Sequence, residues 1–140
     1  MGDDVNIYLV NNLEDLAEWI PIVSKGFHEI HSKGLGDESM EYVLSELFGH
    51  RLFLWIVILD GDYTGFFTTK KIQEHLVVHH MYNVSKKLNR KLRTVVSDFI
   101  DEHARVSGCN SIKLYTLRTA DKYWGLLGYQ KGYTEYCKNL

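Results

Sequence analysis

Three stretches decide the fold: Glu74 to Tyr82 reads EHLVVHHMY, Ser85 to Val106 reads SKKLNRKLRTVVSDFIDEHARV, and Ser111 to Leu117 reads SIKLYTL. The outer two are short, apolar and β-rich, as buried strands are. In the middle stretch Leu88, Leu92, Val95, Val96, Phe99, Ile100, His103 and Val106 form one stripe at helical spacing, which predicts a long amphipathic helix. Gly108 stops it. A strand, a helix and a strand in close succession make a crossover unit, whose two strands lie parallel.

Upstream the chain behaves differently. Arg51 to Leu59 is a continuous apolar run, Asp60-Gly61 is a hairpin turn signal, and Asp62 to Thr69 returns as a strand. A hairpin is antiparallel, so one sheet holding both units is mixed, with helices on both faces. Val5 to Val10 alternates and is β-rich, giving a first strand, and Asn11 or Asn12 can cap the helix after it. Leu13, Leu16, Ala17, Ile20, Val23, Ser24 and Phe27 mark that helix, which Pro21 should kink or split. Ser32 to Asp37 reads as a loop. A second helix carries Met40, Val43, Leu44, Leu47 and Phe48 on one face and ends at Gly49. Beyond Leu117, Thr119 to Leu127 reads as a short helix and Tyr129 to Tyr136 as a last strand. The fold class is therefore α/β of the mixed α+β kind: one domain over residues 1–140, a twisted mixed sheet of six to seven strands, and helices on both faces.

Composition excludes several classes. The 140 residues are 45% apolar and 24% charged, which suits one globular core. The longest apolar run, Leu52 to Leu59, is far short of the roughly 20 residues that span a bilayer, so no membrane partner is expected. The acidic Met-Gly-Asp-Asp start lacks a signal-peptide pattern, which points to a cytoplasmic protein with Cys109 and Cys137 as reduced thiols. A formal net charge of −2 argues against nucleic acid as a partner.

The order of elements, together with Ala120-Asp121-Lys122-Tyr123-Trp124-Gly125-Leu126-Leu127-Gly128-Tyr129 and Gly65 in the third strand, resembles the GNAT superfamily of acetyl-CoA-dependent N-acyltransferases over nearly the whole chain. The resemblance implies acetyl-CoA as cofactor and an amine as second substrate. It also implies that the acyl-CoA diphosphate meets backbone amides at the start of the long helix, where the helix end favours anions. The cofactor-binding set it implies is Tyr82, Val84, Lys86, Lys87, Asn89, Arg90, Lys91 and Leu92. Here Arg90 and Leu92 occupy the family's two small positions, where side chains should crowd a phosphate. Lys86, Lys87, Arg90, Lys91 and Arg93 crowd the same helix start, against the helix dipole, which suits an anion lying there.

N-acyl transfer needs a base for the amine and an acid for the leaving thiolate. For the base the chain offers Glu74, His75, His79 and His80 on or near the fourth strand, with His79 and His80 expected on opposite faces. One of them then points into the cleft where the fourth and fifth strands diverge in this family. For the acid, the family's tyrosine falls on Trp124, whose indole is not a practical acid. Tyr123 beside it and Tyr82 are the other candidates. His75 and His79 lie about 13 Å apart at roughly 3.3 Å per residue and have no partnered Cys or carboxylate, so a metal site is rejected.

The replaced glycines, Trp124 and the aromatic stretch Tyr133 to Tyr136 support an alternative. The chain also resembles small GNAT-like proteins of short-tailed phages, which implies a catalytically inactive binding or assembly module with a protein assembly as partner, located in a virion.

Overall fold

The computed structural model describes residues 4–32, 39–84, 90–115, 130–131 and 135–140. Their elements run β1 (Val5–Val10), α1 (Leu13–Ser32), α2 (Met40–Phe48), β2 (Phe53–Leu59), β3 (Asp62–Ile72), β4 (His75–Asn83), α3 (Arg90–Val106), β5 (Ser111–Tyr115), β6 (Gln130–Lys131) and β7 (Glu135–Asn139). They form a seven-stranded sheet in the order β1-β2-β3-β4-β5-β7-β6. Only β4 and β5 pair in parallel; every other neighbouring pair is antiparallel. This is the mixed sheet that the crossover and the hairpin require. Asp60 and Gly61 both take positive φ, +51° and +85°, which matches the primed turn a right-twisted hairpin needs.

The sheet separates two apolar cores. On one face α1 and α2 bury Leu16, Val23, Phe27, Val43 and Leu47 against Leu54, Ile56 and Phe66. On the other, α3 buries Leu92, Ile100 and Ala104 against Trp55, Phe67, Leu76, Val78, Ile112 and Leu114. Trp55 satisfies its buried indole N–H on Thr69 Oγ1 at 2.8 Å, as a buried ring with a polar edge must. Helices thus cover both faces.

Several expectations change. Pro21 does not divide α1, which is continuous from Leu13 to Ser32. Pro21 and Ala17, whose carbonyl loses its partner to the proline ring, both lie on the exposed side, where water can serve that carbonyl. The buried stripe of α2 is Val43, Glu46 and Leu47 rather than one that includes Phe48, which is exposed. At the end of α3, Val106 is exposed. The single last strand expected over Tyr129 to Tyr136 is instead an antiparallel pair, with Gln130 opposite Cys137 and Lys131 opposite Tyr136. The expected loop from Ser32 to Asp37, the start of the long helix at Ser85 to Asn89, and the helix from Thr119 to Leu127 lie outside the described residues, apart from Ser32 itself.

Candidate active site

β4 and β5 begin in register, His75 beside Ser111, and stay paired as far as Val78 beside Leu114. β4 then continues for five more residues, His79 to Asn83, past its last described pairing with β5. The described pairing of the two parallel strands thus ends midway along β4.

A bulge sits at the same place. Thr69 pairs with Val78 and Thr68 pairs with His80, which leaves His79 as an extra residue on β4. The extra residue resets the alternation of β4. Leu76 and Val78 face α3, but His80 and Tyr82 face α1, and Met81 returns to the α3 side. His79 and His80 consequently turn to the same side, which corrects the expectation that they face opposite ways. Their rings meet edge-on with centroids 4.6 Å apart, and both line one recess.

His80 is buried and firmly held. Its ring Nδ1 lies 2.8 Å from Thr68 Oγ1, and its backbone N–H donates to the same oxygen at 3.0 Å. Phe27 packs edge-on against the ring at 4.9 Å. His79 is half-buried at the mouth.

The opposite wall comes from α2 and β3, and its centre is a carboxylate that the sequence pattern did not bring forward. Glu46 is only 6% exposed. Its Oε1 accepts from Lys70 Nζ at 2.8 Å and from the Tyr42 hydroxyl at 2.9 Å, and its Oε2 accepts from Arg51 Nε. The Lys70 ammonium, then the Arg51 guanidinium and the Tyr42 hydroxyl, hold the Glu46 carboxyl down to about 2. It is thus an ionised anchor and a poor proton acceptor near neutrality. Val43 and Leu52 supply the apolar floor of a recess of about 20 Å3, enough for one water.

Tyr82 lies on the part of β4 beyond its described pairing with β5. Two glycines let it settle there: a Cβ on Gly26 of α1 would stand 2.7 Å from the ring of Tyr82, and one on Gly65 of β3 would stand 2.1 Å from its carbonyl oxygen. Burial, and then the Glu29 carboxylate that accepts from it, push the Tyr82 hydroxyl above its usual value. Tyr63 nearby is pushed up to about 12, by burial and then by Tyr82.

The remaining candidates are dispersed. Glu74 stands in the turn before β4, at the end remote from the bulge. Its carboxylate accepts from Asn110 Nδ2 at 2.8 Å and its carbonyl from Asn110 N–H at 2.9 Å. His75 bonds Ser111 Oγ at the same end. Val84 comes directly after β4, exposed, with its N–H given to the Thr64 carbonyl at 2.7 Å. Leu92 of α3 is packed into the core, and Arg90 and Lys91 are exposed in the first turn of the same helix, which carries no acidic residue. Leu92 is thus drawn away from the helix start that it was expected to crowd. Lys86, Lys87, Asn89, Tyr123 and Trp124 lie outside the described residues. Among the described residues no three His, Cys, Asp or Glu side chains are grouped to hold a metal ion, and no helix is long and apolar enough to cross a membrane.

No protein-family model matches the chain, and no curated protein matches its sequence. Its architecture is nevertheless shared with solved structures. An acetyltransferase of the GNAT family from Staphylococcus aureus superposes with a TM-score of 0.70 at 13% identity, over 98% of this chain and 99% of that one. The PaiA N-acetyltransferase of Thermoplasma acidophilum, solved with coenzyme A, gives 0.64 at 14% identity over 98% and 99%. The N-acetylglutamate synthase of Neisseria gonorrhoeae, solved with coenzyme A and N-acetyl-glutamate, gives 0.72 at 14% identity. That match covers all of this chain but 36% of the other. The common feature at these identities is the fold, and the fold of this chain is the GNAT fold.

Proposed function

We propose that this chain, which has the GNAT fold, is an acyl-CoA-dependent N-acetyltransferase acting on a small amine. One observation carries the reading: the described pairing of β4 with β5 ends at Val78, and a bulge at the next residue turns two imidazoles into a single recess.

The residues present fit acetyl-CoA. Its pantetheine arm is an extended chain with two amides, and β4 beyond its pairing with β5 is an extended segment along which such a chain can lie. Its diphosphate needs positive charge and open backbone. Arg90 and Lys91 supply charge in a first turn free of carboxylates, and Leu92 is turned into the core. Lys86, Lys87 and Asn89 precede them in sequence and complete the proposed set, with Tyr82 and Val84 on the strand side.

When bound, acetyl-CoA supplies the thioester carbonyl that is the acyl donor. In this reading His79 takes the proton of the acceptor's ammonium, so that the nitrogen attacks as a neutral amine. His80, anchored on Thr68, packs against the His79 ring and fixes its direction, which makes it a positioning residue. Tyr82 keeps its proton throughout the neutral range and is the donor to the departing thiolate, with Tyr123 as the other tyrosine that the motif brings forward.

Acetyl-CoA at millimolar concentration should raise the melting temperature saturably. Release of thiol in the presence of small amines should then report transfer. His79→Gln should lower kcat/KM at pH 7 by roughly 100-fold or more, since a positioned base contributes about that factor. The loss should shrink as pH rises and the amine deprotonates in solution, while acetyl-CoA affinity stays within about twofold. A melting temperature indifferent to acetyl-CoA would sink the proposal.

A further inference from the structure

We infer that β1 is the interface of a homodimer, in which two copies of this chain join their β1 strands antiparallel about a twofold axis at Ile7 and make one continuous sheet. The inference is independent of the acyltransferase reading, since β4 lies three strands away from the joint.

The backbone gives the first argument. β1 is the end strand of the sheet, and among the described strands its only neighbour is β2. The Asp60 N–H donates to the Asp4 carbonyl at 2.8 Å, so Asp4 turns its main-chain groups towards β2. Alternation turns those of Asn6, Tyr8 and Val10 the same way, and those of Val5, Ile7 and Leu9 outward. The strand lacks the usual guards against further pairing. It carries no charge and no proline, and its register with β2 runs unbroken from Val5 to Val10. The opposite edge is guarded: β6 is two residues long and includes Lys131.

Side chains give the second. Leu9 lies beside Trp55 and Ile7 beside Val57, so the apolar rows under α3 run on to the rim. The rim is thinly covered. Val5 and Ile7 are half-buried, Leu9 is 37% exposed, and Tyr8 on the other face is 53% exposed. On α3, the half-buried Phe99 and the exposed Val106 share the flank opposite Asp101, whose bond to Lys138 ties the other flank to β7. A strand added beyond β1 covers this apolar margin.

The occupant that fits is a second copy. Pairing about Ile7 sets Val5 against Leu9 of the second copy, Ile7 against its own twin, and Asn6 against Tyr8. Every outward main-chain group from Val5 to Leu9 then has a partner, and apolar side chains on the α3 face meet apolar ones. Charge agrees. Asp4, Asp60 and Asp62 are exposed at the beginning of β1. An antiparallel mate holds the acidic ends of the two copies apart. It sets each beside the uncharged stretch from Val10 to Asn12, the end from which His50 and Arg51 lead into β2.

Sedimentation of the full chain tests this. At about 100 μM the mass should approach twice 16.3 kDa, and it should fall on dilution. Hydrogen exchange at the Val5, Ile7 and Leu9 amides should slow as the dimer fills. Leu9→Lys, at an exposed position, should weaken the dimer by roughly tenfold or more. Ile7→Lys and Ile7→Glu each set like charges face to face across the axis, so each alone should be monomeric, and an equimolar mixture should regain the dimer. A native chain that is monomeric at that concentration would overturn the inference. So would a dimer whose three amides exchange freely, or one that Leu9→Lys leaves intact. A monomer that binds a Thr-Val-Thr-Val-Thr peptide along β1 would overturn the second copy in favour of a foreign strand.

Discussion

Glu46 shows how much a single side chain can carry. A buried carboxylate is tolerable only when its oxygens are paired, and here three donors do that at one end of the recess. The consequence is a dependence on acid. The folded carboxyl titrates at about 2 and an unfolded one at 4.5, so the unfolded chain binds the proton first as pH falls. The stabilisation is complete above about pH 4.5 and drains away towards pH 2. The urea midpoint of the native chain should fall through that window, and Glu46→Gln should flatten the fall while lowering the midpoint at pH 7. Glu46 was legible in principle, since it lies on the stripe of Val43 and Leu47. The expected face of Met40, Val43, Leu44, Leu47 and Phe48 is displaced from the buried stripe of Val43, Glu46 and Leu47, because the apolar Leu44 and Phe48 adjoin that stripe. Tyr42 gave no signal: it is half-exposed, and only its hydroxyl reaches back one turn to Glu46.

At the level of elements, β4 does most to shape the site. Among the described strands its first half pairs with both β3 and β5, and its second half, beyond the bulge, pairs with β3. Gly65 lies opposite Asn83 in that second half, with no room for a Cβ beside the Tyr82 carbonyl. Gly65→Ala must push backbone apart, and overpacking of this kind costs about 1–3 kcal/mol. It should lower the urea midpoint accordingly and weaken acetyl-CoA binding. Gly26→Ala is the companion case. Alanine in a helix gains roughly 1 kcal/mol over glycine, yet here its methyl would stand 2.5 Å from Phe66 and 2.7 Å from Tyr82. Net destabilisation is expected, and a rise in the urea midpoint would show that the rings yield. The extent of each strand was readable from apolar runs and turn signals, and the Asp60-Gly61 hairpin formed as read. The bulge was not readable. Nothing in EHLVVHHMY distinguishes a strand with one extra residue from one without, because the bulge is a matter of register against β3.

Across the whole molecule the two halves of the sheet answer to different demands. The antiparallel part, β1 to β4, is paired strand to strand, with a bulge in two of its pairings, and packs α1 and α2 on one face and α3 on the other. In the first described turn of α3, Arg90 and Lys91 oppose the helix dipole. Stability and binding should therefore pull in opposite directions there. Arg90→Glu should stabilise the free chain by about 0.3–1 kcal/mol and weaken acetyl-CoA binding, as paired thermal and calorimetric titrations can check. What the residues determined unaided was the order of elements, the mixed sheet and the two apolar faces, because hydrophobic period and turn chemistry are local properties. What the tertiary structure alone decided was which side chains meet: His79 beside His80, Lys70 on Glu46, Leu92 withdrawn into the core. Those meetings depend on strand register and helix rotation, which are set by contacts between residues distant in the chain.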